Sequence, residues 1–346
     1  MKELPTLEPY VPVYQNNHIN AFAYLTPQLM KGKDIYSKLD DDGYYEIRYN
    51  DTQFFFRPSY IAVTGRTQQL MMFYIEKFTR SIRHGCSDEE ALAHKKIRFQ
   101  VSEVAKEFNL TTKQARKMII KSSTAMQLMI IQWEDNLRGK IEQHSSNILQ
   151  GFVYYKPNRC VSLKRGEVTV TLADDFATLL PKLYIMWYPR NLRRIPLRRY
   201  PSANAFAVKL SVTYNMNFGK ESCGKLAVPA LLLSTQDIPS YDKLQDKLEH
   251  GTRQLQKRII TPFVRTLDVL VEYGVLSDWH MEFDGEVLAR EALKGIRYKM
   301  FRECKVVYGM MDYPEEKRMK ALATSKTVSA SKSKTPMARQ NLCEVS

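Results

Sequence analysis

The sequence has few of the residues on which cross-linking, metal binding and membrane insertion depend. Its five cysteines are odd in number and scattered, and none forms a C-x-x-C pair, so neither a disulfide framework nor a zinc site is supported. No apolar run approaches the roughly 20 residues that span a bilayer, and the first residues lack the apolar core of a secretion signal. No G-x-x-x-x-G-K-[ST] loop is present, which speaks against ATP hydrolysis. We therefore expect a non-enzymatic cytoplasmic protein with no cofactor, no metal and no membrane partner.

Positive charge is what the sequence has in excess. Lysine and arginine number 52 against 37 acidic residues, which gives a net charge of +15 and a pI near 9.4. Such an excess favours polyanionic partners, either nucleic acid or an acidic membrane surface. Hydrophobic residues at 44% indicate a globular chain, and 346 residues suffice for roughly two domains, each with its own core.

The first basic stretch predicts a helix-turn-helix. Residues 101–108 form a short helix with Ser102 as its expected N-cap, and after a turn at 109–111 Thr112 is expected to cap a second helix. The inward face of the second helix consists of Ala115, Met118, Ile119, Ser122 and Met126. Its outward face carries Lys113, Arg116, Lys117 and Thr124. A short helix, a three-residue turn and a longer basic helix are typical of this motif.

A two-stranded wing is predicted after this motif. Residues 148–155 and 167–172 alternate apolar and polar side chains, as half-buried strands do. The loop between them is basic and includes Arg159, Lys164 and Arg165, which suits contact with a phosphate backbone. A helix from Asp174 to near Pro181 would close this first domain.

"WYPRNLRRIPLRRYP", residues 187–201, is expected to be the connector between two domains. It contains five arginines and no acid, and its three prolines argue against a regular element. An exposed, solvated loop would have this composition, but the uncompensated arginines favour phosphate contact, because each neutralised phosphate releases counterions. The arginines are Arg190, Arg193, Arg194, Arg198 and Arg199.

The same order of elements recurs after the connector. "SANAFAVKLSVTYNMN" predicts a helix with Ser202 as a candidate cap, "KLAVPALLL" a strand or short helix, and "VLSDWHMEF" a strand. Between them, residues 253–274 form an amphipathic helix in which Pro262 predicts a kink or a restart. Its apolar arc contains Leu255, Ile259, Phe263, Leu267 and Leu270. Its polar arc contains Arg253, Gln254, Lys257, Arg258, Thr261 and Arg265, with Val264 intruding.

These patterns predict a helix-rich α+β chain with five parts. Residues 1–60 form an N-terminal arm with a β-hairpin turning at Asn50–Asp51, and residues 61–186 a first winged-helix domain. Residues 187–201 are the basic linker, and residues 202–310 a second winged-helix domain with a C-terminal helix. Residues 311–346 are rich in Ser, Thr and Lys and have almost nothing to bury, so we expect a largely disordered tail.

Two stretches resemble the winged-helix plasmid replication initiator (Rep) proteins. "GEVTVTLADDFATLLPKL" is similar to the Rep wing strand and the helix that ends the first winged domain. "SANAFAVKLSVTYN" and the later "QLQKRIITPFVRTLDVL" are similar to the first helix and the recognition helix of the second. The resemblance covers roughly residues 67 to 283 and departs from the family in the arm and beyond 283. It implies origin-repeat binding in a bacterial cytosol, duplex opening, recruitment of a host helicase or initiator, and a monomer–dimer switch.

The residues expected to contact double-stranded DNA come from both domains and the linker. The first domain offers Lys113, Gln114, Arg116, Lys117, Arg159, Lys164 and Arg165. The linker offers Arg193, Arg194, Arg198 and Arg199, and the second domain Arg253, Gln254, Lys257, Arg258 and Arg265. Gln114, Gln254 and Arg258 are the candidates for base edges, and the lysines for phosphates.

Two alternatives stay open. "HGTR", residues 250–253, has the H-x-x-R spacing of tyrosine recombinases, with Tyr273 and Tyr298 downstream as possible nucleophiles, although its flanks do not resemble a recombinase box. No two histidines are separated by a single residue, so the paired-histidine metal site of rolling-circle nickases is missing. A transcription regulator with the same two domains would need the same groove-reading surfaces as an initiator.

Overall fold

Helix α1 (Gly65–Ser81) is buried along most of its length and organises the first half of the protein. The structure is a computed structural model that describes residues 8–15, 45–49, 52–56, 65–137, 140–154, 166–235, 237–239 and 255–315. Residues 1–311 form one compact unit, and residues 312–346 are a separate unit. Helices and strands are mixed, as expected. Among the helices in the described ranges, none has the length and apolar character needed to cross a bilayer.

A three-stranded antiparallel sheet packs near α1. Its strands are β4 (Lys96–Gln100), β7 (Leu149–Tyr154) and β8 (Glu167–Leu172), in the order β4-β8-β7. Helices α2 (Asp88–His94) and α5 (Asp174–Leu179) flank the sheet in sequence, and α3 (Val101–Glu107) and α4 (Thr112–Leu128) lie between β4 and the later strands. The rings of Phe73 and Phe99 meet edge to face at 5.3 Å, and those of Phe73 and Phe108 at 6.3 Å, which joins α1 to the sheet and to the end of α3.

A second sheet combines the N-terminal strands with a hairpin that follows α4. The pair β2 (Tyr45–Tyr49) and β3 (Thr52–Phe56) is antiparallel, with Tyr49 opposite Thr52. Strand β3 also pairs with β5 (Ile130–Leu137), which pairs with β6 (Lys140–Asn147), so the order is β2-β3-β5-β6. We did not predict the β5–β6 hairpin from the sequence, and we predicted that the N-terminal strands belong to a separate arm. Pairing across roughly 75 residues is a tertiary event that local pattern does not encode.

The segment predicted as an irregular connector begins as a strand. Strand β9 (Tyr184–Pro189) pairs with β1 (Tyr10–Gln15), and a 3₁₀ turn spanning 190–194 follows it. Pro189 ends the strand at a position where no ladder hydrogen bond is needed, which is how proline is tolerated there. The side chains of Tyr10, Val11, Val13 and Tyr14 are almost fully buried, so β1 is part of the core.

The second half repeats the strand order of the first. It contains α6 (Ala203–Asn217), β10 (Lys225–Ala227), α7 (Val228–Leu232), a π-helical turn (Gln256–Ile260), α8 (Thr261–Glu272), β11 (Leu276–Phe283), β12 (Glu286–Leu288), α9 (Tyr298–Glu303) and β13 (Lys305–Met310). The sheet order is β10-β13-β11-β12, so its first three strands are arranged first, last and middle, as in β4-β8-β7. A C-terminal helix was predicted at the end of this half; α9 is such a helix, but β12 and β13 supply two of the strands there.

The second core is centred on Phe263 of α8. Its ring lies 5.2 Å from that of Phe206 on α6 and 5.3 Å from that of Phe301 on α9, both edge to face. All three rings are fully buried. Tyr308 of β13 donates a hydrogen bond of 2.9 Å to the carbonyl of Leu210 on α6. The aromatic contacts therefore hold the three helices together, and the Tyr308 hydrogen bond joins the sheet to α6.

The two halves contact each other through α1, α6 and β9. The amide of Asn204 donates to Gln68 Oε1 at 3.1 Å between two buried side chains. The side-chain amide of Asn215 accepts a hydrogen bond from the backbone N–H of Trp187 and donates one to the Trp187 carbonyl, each at 3.1 Å. The amide therefore pairs with the edge of β9 as the backbone of a neighbouring strand would. These buried polar contacts fix the second half against the first.

Two predicted helix caps are wrong, and a third is confirmed in position only. The N-cap of α3 is Gln100, so Ser102 lies inside the helix. The N-cap of α4 is Thr111, one residue before the predicted Thr112. Ser202 does occupy the N-cap of α6, but its hydroxyl makes no capping hydrogen bond and instead accepts one from Thr235 at 3.1 Å. Cap positions one residue apart have nearly the same local pattern, which is why sequence alone misplaces them.

Candidate nucleic-acid interface

Helix α4 is anchored at its start and along one face. Thr111 and Gln114 form a reciprocal capping box, in which the Gln114 N–H donates to Thr111 Oγ1 at 3.3 Å and the Thr111 N–H donates to Gln114 Oε1 at 2.9 Å. Ala115, Ile119, Ser122 and Met126 are buried, as predicted, and Met118 is half-buried. The helix is therefore held to the core by the face predicted to be inward.

The outer face of α4 is cationic and exposed. Residues 111–133 contain no acidic side chain, so no charge along this helix offsets its basic residues. The exposed charged residues are Lys113, Arg116, Lys117 and Lys121. Lys121 was not among the contact residues predicted from the sequence, although it lies four residues after Lys117 and therefore on the same helix face. The charge on this face is available to a polyanion.

Two of the predicted contact residues on α4 have partners within the protein. Gln114 Oε1 accepts in the capping box, so a bidentate contact of this amide with adenine would have to compete with the cap. The guanidinium of Arg116 lies 5.4 Å from the ring centroid of Tyr154 on β7, a cation–π contact that orients an exposed side chain. The predicted wing residues Arg159, Lys164 and Arg165 lie outside the described residues.

The second basic helix has the predicted orientation. Its whole apolar arc is buried: Leu255, Ile259, Phe263, Leu267 and Leu270. Lys257, Arg258, Thr261 and Arg265 are exposed, and residues 253–267 contain no acid. Arg253 and Gln254 lie outside the described residues. The sorting of charge and apolar side chains predicted for this helix is confirmed for its described part.

Pro262 restarts the helix after a wider turn. The π-helical residues 256–260 lead into α8, in which Pro262 occupies the first turn. Proline has no N–H to donate, and the first turn of a helix is where that donor is not required. Thr266 Oγ1 donates to the Pro262 carbonyl at 2.7 Å and satisfies part of the altered backbone. The apolar face remains continuous because the π turn absorbs the change in register.

Arg193 is not available for DNA, which corrects a prediction. The linker arginines Arg190 and Arg193 are 9% and 3% exposed, and they enclose two buried carboxylates, Glu76 of α1 and Glu107 of α3. Arg193 bonds Glu76 at 2.7 Å and Glu107 at 3.2 Å, and Arg190 bonds Glu76 at 3.3 Å and is also paired with Glu107. We call these four side chains the buried ion cluster. The density of arginines in the linker predicted contact with phosphates. For Arg190 and Arg193 the anionic partners are instead carboxylates of two helices that are distant in sequence.

The charge state of Glu76 follows from this cluster. Burial raises its pKa, but the opposing charges of Arg193, Arg190 and Arg80 outweigh burial and leave the pKa below its ordinary value. Glu76 is therefore ionised at neutral pH. The cluster balances two guanidinium groups against two carboxylates, and it fastens the linker to the first half of the protein.

The remaining linker arginines are exposed, as predicted. Arg194, Arg198 and Arg199 face solvent. The guanidinium of Arg199 lies 5.3 Å from the ring centroid of Tyr200, and that of Arg265 on α8 lies 5.4 Å from the same centroid. The linker and the second basic helix thus meet at one aromatic ring.

A further basic loop lies beside the second helix and was not found from the sequence. The Gly295 N–H donates to Gln256 Oε1 at 3.2 Å, which places the loop at the start of the π turn. Gly295 has a φ of +89°, a conformation that favours glycine. Its neighbours Lys294 and Arg297 are exposed. This tertiary contact places them near Lys257 and Arg258.

Two residues of the recombinase alternative, His250 and Arg253, lie outside the described residues. Tyr273 and Tyr298 are half-buried. Within the described ranges no group of three or more His, Cys, Asp or Glu could hold a metal ion.

Comparison with known proteins returned structures but no sequence family. No protein-family model and no curated protein matches the sequence. A crystal structure of the Pi initiator protein in complex with iteron DNA has a TM-score of 0.48 and 9% identity, and covers 89% of this chain and 100% of that one. Two crystal structures of domains 2 and 3 of RctB have TM-scores of 0.39 and 11% identity; they cover 85% and 80% of this chain, and 99% and 93% of theirs.

The first of these structures is a replication initiator, the class of protein that the sequence resembles. Because the TM-scores are below 0.5, the proposals below rest on the residues of this chain.

Proposed function

We propose that the chain is a sequence-specific, double-stranded-DNA-binding protein that initiates replication of a plasmid or mobile element. In this proposal each half is a winged-helix domain, and α4 and the helix containing α8 are its recognition helices. Sequence-specific reading would use Gln114, Gln254 and Arg258, and the other exposed cations would contact phosphates. No catalytic residue, cofactor or metal takes part.

The observation that carries the proposal is the pair of exposed cationic helix faces, with no acid in residues 111–133 and 253–267. Each face is backed by a largely buried apolar face, so its direction is fixed by packing and not by side-chain flexibility. The major groove of B-DNA is about 12 Å wide and admits one α-helix. A repeated strand order places each such helix between the short helix and the paired strands of its half. Two helices on one compact unit suit a site of two adjacent grooves.

The initiation step is supported by the resemblance of residues 67 to 283 to Rep proteins. On that basis we propose binding to repeated origin sites in a bacterial cytosol, in association with the nucleoid, and recruitment of host helicase or initiator proteins. A homodimer belongs to the same proposal. A transcription regulator is the second candidate, since the same helix faces would serve it equally.

Lys257 offers the direct test of DNA binding. Lys257→Ala should weaken binding to origin and random duplexes alike, and should lower the slope of log K against log salt by about one, because one phosphate contact is lost. Lys182→Ala is a matched control, since Lys182 is exposed and already paired with Asp88 at 3.0 Å. Fluorescence anisotropy with labelled duplexes at several salt concentrations measures both quantities. Unchanged affinity and slope for Lys257→Ala would show that this face does not contact DNA.

Initiation is tested separately from binding. A footprint on the DNA flanking the gene should show protection at repeated sites, and a plasmid carrying only the gene and those repeats should replicate. Footprints without replication would favour the regulator. A covalent adduct with a nicked or suicide DNA substrate would favour the recombinase, and its dependence on Tyr273 or Tyr298 would identify the nucleophile.

A further inference from the structure

We propose that Arg199 and Arg265, ordered by the ring of Tyr200, form one phosphate clamp where the linker meets the second basic helix. The proposal rests on the proposed DNA binding and deepens it, because it assigns a backbone contact to a pair of residues that are 66 positions apart. Tyr200 is a positioning residue in this clamp, and the two arginines make the contact.

Geometry brings the two cations together. Each guanidinium carbon lies beside the same ring, at 5.3 Å for Arg199 and 5.4 Å for Arg265 from the centroid, so their separation cannot exceed the sum of these distances. Both side chains are exposed, and Tyr200, whose ring both guanidinium groups contact, is half-buried. In the proposed clamp the two exposed side chains converge on one phosphate diester beside the ring. Planar guanidinium groups match phosphate oxygens bidentately, which a pair of lysines would not do.

Charge balance distinguishes this pair from two other stacked arginines of the described residues, Arg193 and Arg290. Arg193 lies over the Phe73 ring but is bound to Glu76 and Glu107. Arg290 lies over the Trp279 ring but is bound to Asp268 at 2.7 Å.

For Arg199 and Arg265, no described carboxylate is at ion-pair distance. Two like charges held at one ring repel each other, and an anion between them would relieve that repulsion.

The ring lowers the entropy cost of binding. An exposed arginine has several rotamers, and ordering it on contact has an entropy cost. Stacking restricts that freedom before DNA arrives, so less ordering remains to be done. Phenylalanine at position 200 would keep the ring, whereas leucine would remove it. The clamp therefore depends on the aromatic face and not on the tyrosine hydroxyl.

A duplex of random sequence tests the clamp, because phosphate contacts are independent of sequence. Arg199→Ala and Arg265→Ala should each weaken binding, and the double variant should lower the salt slope by about one, because the two arginines share one phosphate. Tyr200→Leu should weaken binding about two- to five-fold, the range expected from an exposed cation–π contact, and Tyr200→Phe should bind like the unaltered protein. Lys182→Ala, which removes a paired surface charge, should leave the slope unchanged.

The outcomes separate the clamp from the proposed function. If the unaltered protein binds duplex DNA and Lys257→Ala weakens it, while the double variant of Arg199→Ala and Arg265→Ala keeps the original affinity and slope, the clamp is wrong and the function stands. If Tyr200→Phe is as weak as Tyr200→Leu, the ring is not the positioning element. Because Arg199 and Arg265 are exposed, their variants should fold, so the proposal stays testable even if Tyr200→Leu is unstable.

Discussion

Glu107→Gln should destabilise the protein far more than the same substitution one turn earlier. Glu107 lies at the end of α3, its side chain is 5% exposed, and it contacts Arg190 and Arg193, which are themselves buried. Glutamine is nearly isosteric but neutral, so the substitution leaves two buried guanidinium groups facing the single charge of Glu76. Removing one partner of a buried pair costs about 3–5 kcal/mol, because the charge left behind is uncompensated.

Glu103 is the control because it lies on the same helix. It is 36% exposed at its side chain and pairs with Lys77, which is 30% exposed. A surface pair of this kind contributes about 0–1 kcal/mol. Glu103→Gln should therefore shift the urea midpoint only slightly. The difference between the two variants isolates burial, since the chemical change and the helix are identical.

Equilibrium urea denaturation followed by tryptophan fluorescence measures this difference. A loss of about 3–5 kcal/mol is a large part of the roughly 5–15 kcal/mol that stabilises a typical domain, so Glu107→Gln should unfold at a much lower urea concentration. If Glu107→Gln and Glu103→Gln lose the same free energy of unfolding within 1 kcal/mol, taken as about the spread of surface pairs, the buried ion cluster does not hold the linker as described.

Three further outcomes follow from the same structure. Thr111→Ala should lose about 0.5–2 kcal/mol of unfolding free energy through its N-cap, while Thr112→Ala should lose less, which thermal unfolding compares directly. Phe263→Ala should lose about 3–5 kcal/mol in urea denaturation, and Val264→Ala, which is half-buried, clearly less; equal losses would contradict the aromatic core. Folding lowers the pKa of Glu76 from 4.5, so its contribution to the free energy of unfolding is fully present above about pH 4.5 and is lost as the pH falls through the folded pKa. Glu76→Gln should therefore flatten the acid limb of a plot of stability against pH. An unchanged limb would refute this.

The apolar periodicity of the sequence was sufficient to identify the two basic helices, the strand pair at 149–154 and 167–172, and the strand after the second helix. Ala115, Ile119 and Met126 on one helix and Ile259, Phe263 and Leu267 on the other are buried as predicted. Helical spacing fixes which side chains share a face, so a buried apolar face determines that the charges opposite it are exposed. The runs at 149–154 and 167–172 form a strand pair for a similar reason, since alternation selects one face of a strand.

Tertiary structure alone decided what the linker does. The linker has five arginines, and its local sequence does not distinguish Arg193, which bonds Glu76 and Glu107, from Arg194, which faces solvent. Ion pairing depends on carboxylates that are more than 80 residues away in sequence. Strand β1, the β5–β6 hairpin and the meeting of Arg199 with Arg265 are likewise contacts between distant segments. The local sequence pattern determines which face of its own helix or strand a residue occupies. Which distant residue it contacts is determined only when those elements pack together.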